Sequence, residues 1–126
     1  MAEQKANIKH DRTIIFDFDG VIHSYESGWC GADVIPDPPV PGMKEAIDEI
    51  RAAGYRVVVL SARCHQGGME AMKAWMDKHE IVVDDIVRDK VPAILQVDDR
   101  CICFDGNPAG LLKAIRGFQP WNKRGM

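Results

Sequence analysis

No run of 18 apolar residues occurs in the sequence, which excludes a hydrophobic membrane-spanning helix. The first twelve residues, MAEQKANIKHDR, lack the apolar stretch of a secretory signal. Positive charge is not in excess: 16 basic residues stand against 19 acidic ones, a net charge of −3. A broad basic field for gripping long polynucleotides is therefore not indicated. Cysteine is scarce. Cys30, Cys64, Cys101 and Cys103 include no C-x-x-C pair, so a zinc site has no ligand spacing to rest on. Reduced thiols in a cytoplasmic protein are the expectation. Repeats, linkers and a second domain are also missing. A chain of 126 residues, 46% apolar and 28% charged, suits one domain with a modest core rather than a disordered segment.

What is present is an alternation of apolar periods. TIIFD, at 13–17, reads as a buried strand. A long Gly- and Pro-containing loop follows to Pro41 and Gly42, where a helix starts. Met43, Ala46, Ile47 and Ile50 fall at i, i+3, i+4 and i+7, one apolar stripe, and Gly54 sits where a helix ends. RVVVLSAR is a second buried strand of the kind parallel sheets produce. Met69, Met72 and Met76 mark a second helix ending near His79, and at that spacing methionines are core residues. Three short runs follow, DIVR, AILQV and CICF. Asn107 and Pro108 cap a last helix striped by Leu111, Leu112 and Ile115 and closed by Gly117. The expected fold is α/β: a Rossmann-like three-layer sandwich with a mainly parallel sheet of about five strands. Its core domain covers 13–117, between a polar N-terminal tail, 1–12, and a C-terminal tail, 118–126, without periodicity.

In such sheets the working residues stand at the carboxyl ends of the strands. After the first strand come Asp17 and Asp19, one strand period apart and so on one side. Ser61 follows the second strand, and Asp98 and Asp99 follow AILQV, with Lys90 just before that run. Taken singly, each has a bland explanation: a strand-end Asp caps a turn, a Ser lies in a loop, a Lys is solvated. Taken together, converging carboxylates repel unless a divalent cation sits among them. Mg²⁺ suits the case, since it accepts few protein carboxylates and bridges to phosphate oxygens.

At these residues the chain resembles the haloacid dehalogenase superfamily, in its phosphatase branch. FDFDGV, through Val21, matches the family's strand ending in D-x-D-G-[TV]. Ser61, Lys90 and the Asp98–Asp99 pair in VDDR match its later motifs in order, and the resemblance covers about residues 13–116. It implies a Mg²⁺-dependent phosphomonoesterase. Asp17 would attack phosphorus and form an aspartyl-phosphate. Asp19 would protonate the leaving oxygen and then activate water. Ser61 would hydrogen-bond the phosphoryl oxygens, and Lys90 would offset charge there. The metal would be held by the Asp17 carboxylate, the Asp19 backbone carbonyl and the acidic pair, with Asp99 touching it directly and Asp98 orienting Asp99, a water or Lys90. Gly20, Ala62, Arg63 and Trp29 are the expected substrate contacts. For Arg63 a structural ion pair is the competing explanation.

A rival acidic pair, Asp84–Asp85 in IVVDD, would put Lys90 after it and break the family order. It reads as a solvated turn. The family's lid-forming caps have no room here: Gly20 to Pro41 is only a long loop, and Ser61 to Lys90 holds one helix and one strand. The capless site then needs another cover: a macromolecular substrate, a second copy of the chain, or the loop 22–40. Trp29, between Gly28 and Cys30, would stack on a base or sugar, or else anchor that loop; His23 is read as neutral in role, ahead of a contact with the leaving group. The partner expected is a phosphorylated small molecule or macromolecular phosphoester, with nucleotide or nucleic-acid-end phosphates as an alternative substrate class. A phosphoryl-acceptor module without turnover is the other function class. Asp19 speaks against it, because an acceptor gains nothing from an adjacent acid/base that would hydrolyse its own aspartyl-phosphate.

Overall fold

The computed structural model describes residues 12–123. The expected polar tail at 1–12 thus lies, apart from Arg12, outside the described residues. Four strands form one wholly parallel sheet: β1 (Thr13–Asp17), β2 (Arg56–Leu60), β3 (Asp85–Val87) and β4 (Leu95–Val97), in the order β3-β2-β1-β4. The β1–β2 register sets Ile14 beside Val57 and Asp17 beside Leu60.

β-Branched residues dominate the two central strands, as a doubly covered parallel sheet requires. One face presents Ile14, Phe16, Val57 and Val59 to a core shared with Ile47, Met72, Trp75 and Met76. Ile15 and Val58, on the opposite face, are also fully buried. Helix α1 (Met43–Ala52) and helix α2 (Met69–Lys78) supply the first cover. Ile47 carries the expected stripe of α1 inward, flanked by Met43 and Ile50, and Gly54 leaves the helix at φ +99°. On α2 Met72 and Met76 do serve the core while Met69 is only partly buried, and they are joined by Trp75, whose indole N–H donates to the Asp37 carbonyl at 3.0 Å.

The C-terminal third differs from expectation. CICF, at 101–104, is exposed and forms no strand, so β4 is a sheet edge. Asn107 caps the short 3₁₀ turn Pro108–Gly110 that leads into helix α3 (Leu111–Gly117) rather than the helix itself, and Leu112 and Ile115 stay exposed. No helix among the described residues is long and apolar enough to cross a membrane.

Asp84 and Asp85 lie at the amino end of β3, far from the strand ends that matter. Asp84 takes a forked contact from Arg51 (3.2 and 3.3 Å) and the Val57 N–H at 2.8 Å. Burial opposes its charge, but the Arg51 and Val57 hydrogen bonds outweigh that and hold its carboxyl below the usual range. Asp84 is therefore a brace between α1, β2 and β3. Asp84→Ala should lower the urea midpoint by the equivalent of about 1 kcal/mol, and an unchanged midpoint would remove the brace.

Candidate active site

β1 delivers Asp17 at its carboxyl end, and the chain then turns sharply. The Phe18 carbonyl accepts from the N–H groups of Ile22 (2.9 Å) and His23 (3.0 Å), which folds Asp19 and Gly20 back over the strand end. β4, the neighbour of β1, delivers Asp98 and Asp99 on the same side. Asp17, Asp98 and Asp99 offer three carboxylate oxygens that all lie within 4.8 Å of one another. Gln96 and the Arg100 N–H hold the two oxygens of Asp98, each at 3.0 Å. The side chain of Asp99 is 4% exposed and hydrogen-bonds Asp17. Burial, that bond and the charge of Asp98 push the Asp17 carboxyl up to about 8.

Gly20 is what lets Asp99 in. It has φ +82°, and a Cβ placed there would overlap the Asp99 Oδ2 atom and stand 2.7 Å from its Cγ. Its N–H donates to the His23 carbonyl at 2.8 Å, and its carbonyl accepts the Trp121 indole N–H at 2.7 Å. Gly20, expected to touch substrate, is instead occupied at both backbone groups. Trp121 was not foreseen at all: the 118–126 stretch has no period, yet its tryptophan closes on the first motif.

Asp19 is held from two sides. Its Oδ1 receives His23 Nδ1 at 2.8 Å and Arg63 Nη2 at 3.0 Å, and its Oδ2 receives Arg63 Nε at 2.8 Å. Burial raises its carboxyl, but the hydrogen bonds from His23 and Arg63 prevail and hold it below the usual range. Arg63 is 1% exposed. Its remaining nitrogen, Nη1, donates to the carbonyls of Gly31, Ala32 and Val34 at 2.8, 3.0 and 3.2 Å. Expected as a substrate contact, Arg63 is in fact spent on Asp19 and the loop, the ion pair that competed with that reading. The guanidinium lies 4.7 Å from the centroid of the half-exposed Trp29 ring.

Ser61 follows β2 and is buried, its Oγ accepting the Arg63 N–H at 3.1 Å while its own proton stays available to donate. Ala62 lies exposed in the short 3₁₀ turn after it. Lys90 is not brought in. It is exposed in the β3–β4 connection, where His65 anchors the preceding Arg88 carbonyl at 2.6 Å, and the expected pairing with Asp17 is absent among the described residues.

The loop 22–40 is tied to the domain by Arg63 Nη1 and the Trp75 indole, which donate to its carbonyls, and it is also braced within itself. Val40 N–H donates to the Ile22 carbonyl at 2.9 Å, Ser24 N–H to Pro38 at 3.0 Å, and Ser27 bonds both oxygens of Asp37.

No family model matches this sequence, and no curated protein matches it. Among solved structures it is similar to the D,D-heptose 1.7-bisphosphate phosphatase from B. bronchiseptica, crystallised with magnesium and phosphate. Identity is 23% and the TM-score 0.43, over 83% of this chain and 62% of that one. The chain thus spans under two thirds of that protein's length, and the reading of the site rests on its own residues.

The donor set suits a hard divalent cation. Three crowded carboxylates meet, with the exposed Arg100 Nε 3.8 Å from Asp99 Oδ2 as their ion-pair partner among the described residues, and oxygen-only ligands match Mg²⁺.

Proposed function

We propose that the protein is a Mg²⁺-dependent phosphomonoesterase of the haloacid dehalogenase type, working through an aspartyl-phosphate. The observation that carries this reading is the convergence of Asp17, Asp98 and Asp99 at two adjacent strand ends, with Asp19 two residues on from Asp17 and fixed by Arg63 and His23. A purely structural cluster has little reason to hold three carboxylates this close against one exposed arginine, at the cost of keeping Asp17 protonated up to about 8.

Asp17 attacks phosphorus, the bond to the leaving oxygen breaks, and Asp19, kept ionised at rest by Arg63 and His23, relays a solvent proton to that oxygen. Asp19 then takes a proton from the water that hydrolyses the aspartyl-phosphate. Ser61 donates to a phosphoryl oxygen. The Asp17 and Asp99 carboxylates and the Asp19 carbonyl would hold Mg²⁺, with Asp98 orienting Asp99. When bound, the ion offsets charge on the transferring phosphoryl group. In this reading Lys90 contributes only if the 88–94 connection closes toward Asp17 on substrate binding.

The test is hydrolysis of para-nitrophenyl phosphate with and without Mg²⁺. Turnover should require the metal, and Asp99→Asn should weaken that requirement's midpoint by about ten- to a hundredfold. Asp85→Asn should leave it within a factor of about three, as expected for a surface change. The reverse ranking would move the metal to the β3 pair. One phosphate taken up per chain without turnover would instead mark a phosphoryl acceptor.

A panel of phosphorylated metabolites, nucleotides and 3′- or 5′-phosphorylated oligonucleotides would identify the substrate. On the best of these, Trp29→Ala should raise KM by about tenfold while turnover of para-nitrophenyl phosphate changes less than about twofold, the pattern of lost uniform binding. Equal losses on both esters would make Trp29 a loop anchor through its contact with Arg63.

A further inference from the structure

Both oxygens of Asp19 are held by buried side chains. Arg63 forks onto the two carboxylate oxygens through Nε and Nη2. A guanidinium buried to this degree is tolerable only with its partner in place. From the other side comes His23, which is fully buried and stacked on Phe18 with ring centroids 5.6 Å apart. His23 Nε2 accepts the Asp37 N–H at 3.2 Å, so the ring proton sits on Nδ1 and is donated to Asp19. Neither partner is itself free to turn. Arg63 is fixed by three loop carbonyls, and His23 by Asp37 and by the edge of Trp75 at 5.5 Å.

We propose that Arg63 and His23 are positioning residues: they aim the Asp19 carboxylate at the leaving oxygen, and Arg63 ties that aim to the 31–34 segment of the loop. This rests on the reading of Asp19 as acid and base given above. The geometry separates it from the alternatives. An arginine that binds substrate needs an exposed donor, and Arg63 is buried with each of its three nitrogens already bonded. A merely space-filling arginine has no reason to fork onto one carboxylate. A carboxylate able to rotate spends little of its time within proton-transfer distance, so losing its orientation lowers kcat rather than raising KM.

Leaving groups report this directly. A nitrophenolate departs with little need of a proton, whereas an alkoxide requires one. The experiment measures kcat and KM for Arg63→Lys, Arg63→Met and His23→Gln in the full chain with Mg²⁺, on para-nitrophenyl phosphate and on a simple alkyl phosphate. kcat/KM, which reports phosphoryl transfer to Asp17 and not the later hydrolysis common to both esters, should fall about ten- to a hundredfold on the alkyl ester and stay within about threefold on the nitrophenyl ester. Asp19→Asn should show the same asymmetry more strongly, and adding Arg63→Lys to it should cost nothing further. Arg63→Lys keeps the buried charge and carries the test if Arg63→Met does not fold. Equal losses of kcat/KM on both esters, additive with Asp19→Asn, would overturn the proposal in favour of a structural role. A raised KM with kcat intact would overturn it in favour of a substrate contact. If the unaltered protein hydrolyses neither ester, the phosphatase reading fails first and takes this inference with it.

Discussion

Asp17→Asn lowers phosphate-ester turnover by at least about three orders of magnitude, the scale of a lost nucleophile. The same change raises the melting temperature of the metal-free protein at pH 8. Both follow from one carboxylate. Asn keeps the shape but cannot attack phosphorus or offer a charged oxygen to a metal. In the folded chain, Asp17 holds its proton to about 8 instead of its ordinary 3.8, first through burial and then through Asp99 and Asp98. Between those values the folded state binds a proton that the unfolded chain has released, so its contribution to stability falls as pH rises. The advantage of Asp17→Asn should therefore be small near pH 4, grow with pH and level off above pH 8. Calorimetry of both proteins across that range, without metal, measures it. Adding Mg²⁺ should stabilise the unaltered protein more than the variant, through binding to the folded state alone. Near-normal activity of folded Asp17→Asn would remove the mechanism. A stabilisation that shrinks with rising pH would remove its electrostatic account.

Gly20→Ala has the next largest effect, and it acts on a neighbour. The added methyl takes the space of the Asp99 carboxylate, which is the movable end of a side chain and gives way. Displacing it from the cluster should cost about a hundredfold in Mg²⁺-dependent turnover, at the upper end for disturbed metal surroundings. The positive φ adds a direct cost of roughly 1–2 kcal/mol in stability. A folded Gly20→Ala protein with unchanged Mg²⁺ dependence would mean that Asp99 is not a ligand from this position. The melting-temperature shift on adding Mg²⁺, compared between the two proteins, gives the same answer without an activity assay.

The parts legible in the sequence were those with a period. The D-x-D spacing put Asp17 and Asp19 at a strand end, the stripes of α1 and α2 marked their buried faces, and VDDR did fall beside the first motif. The rest depended on contacts between distant residues. Arg63 lies 44 positions from Asp19, and nothing local distinguishes a buried arginine from one reaching for a phosphate. His23 looked neutral because a lone loop histidine carries no pattern; only the turn at Phe18 shows that it folds back on Asp19. CICF has strand-forming residues, but pairing is a property of two strands, and β4 remained the edge. Lys90 matched in order, and order does not determine reach.

The bond between Trp121 and Gly20 joins residues 101 positions apart, and it has a consequence for how the protein is made. A ribosome adding about 5–20 residues per second needs roughly 5–20 s to pass from the first motif to that tryptophan. During this interval the nascent chain already contains the Asp17–Gly20 turn, but Asp98 and Asp99 come late and the indole that fastens the turn comes later still. Assembly at the strand ends thus belongs to the final moments of synthesis, and a chain stalled before residue 121 leaves the turn without its last fastening.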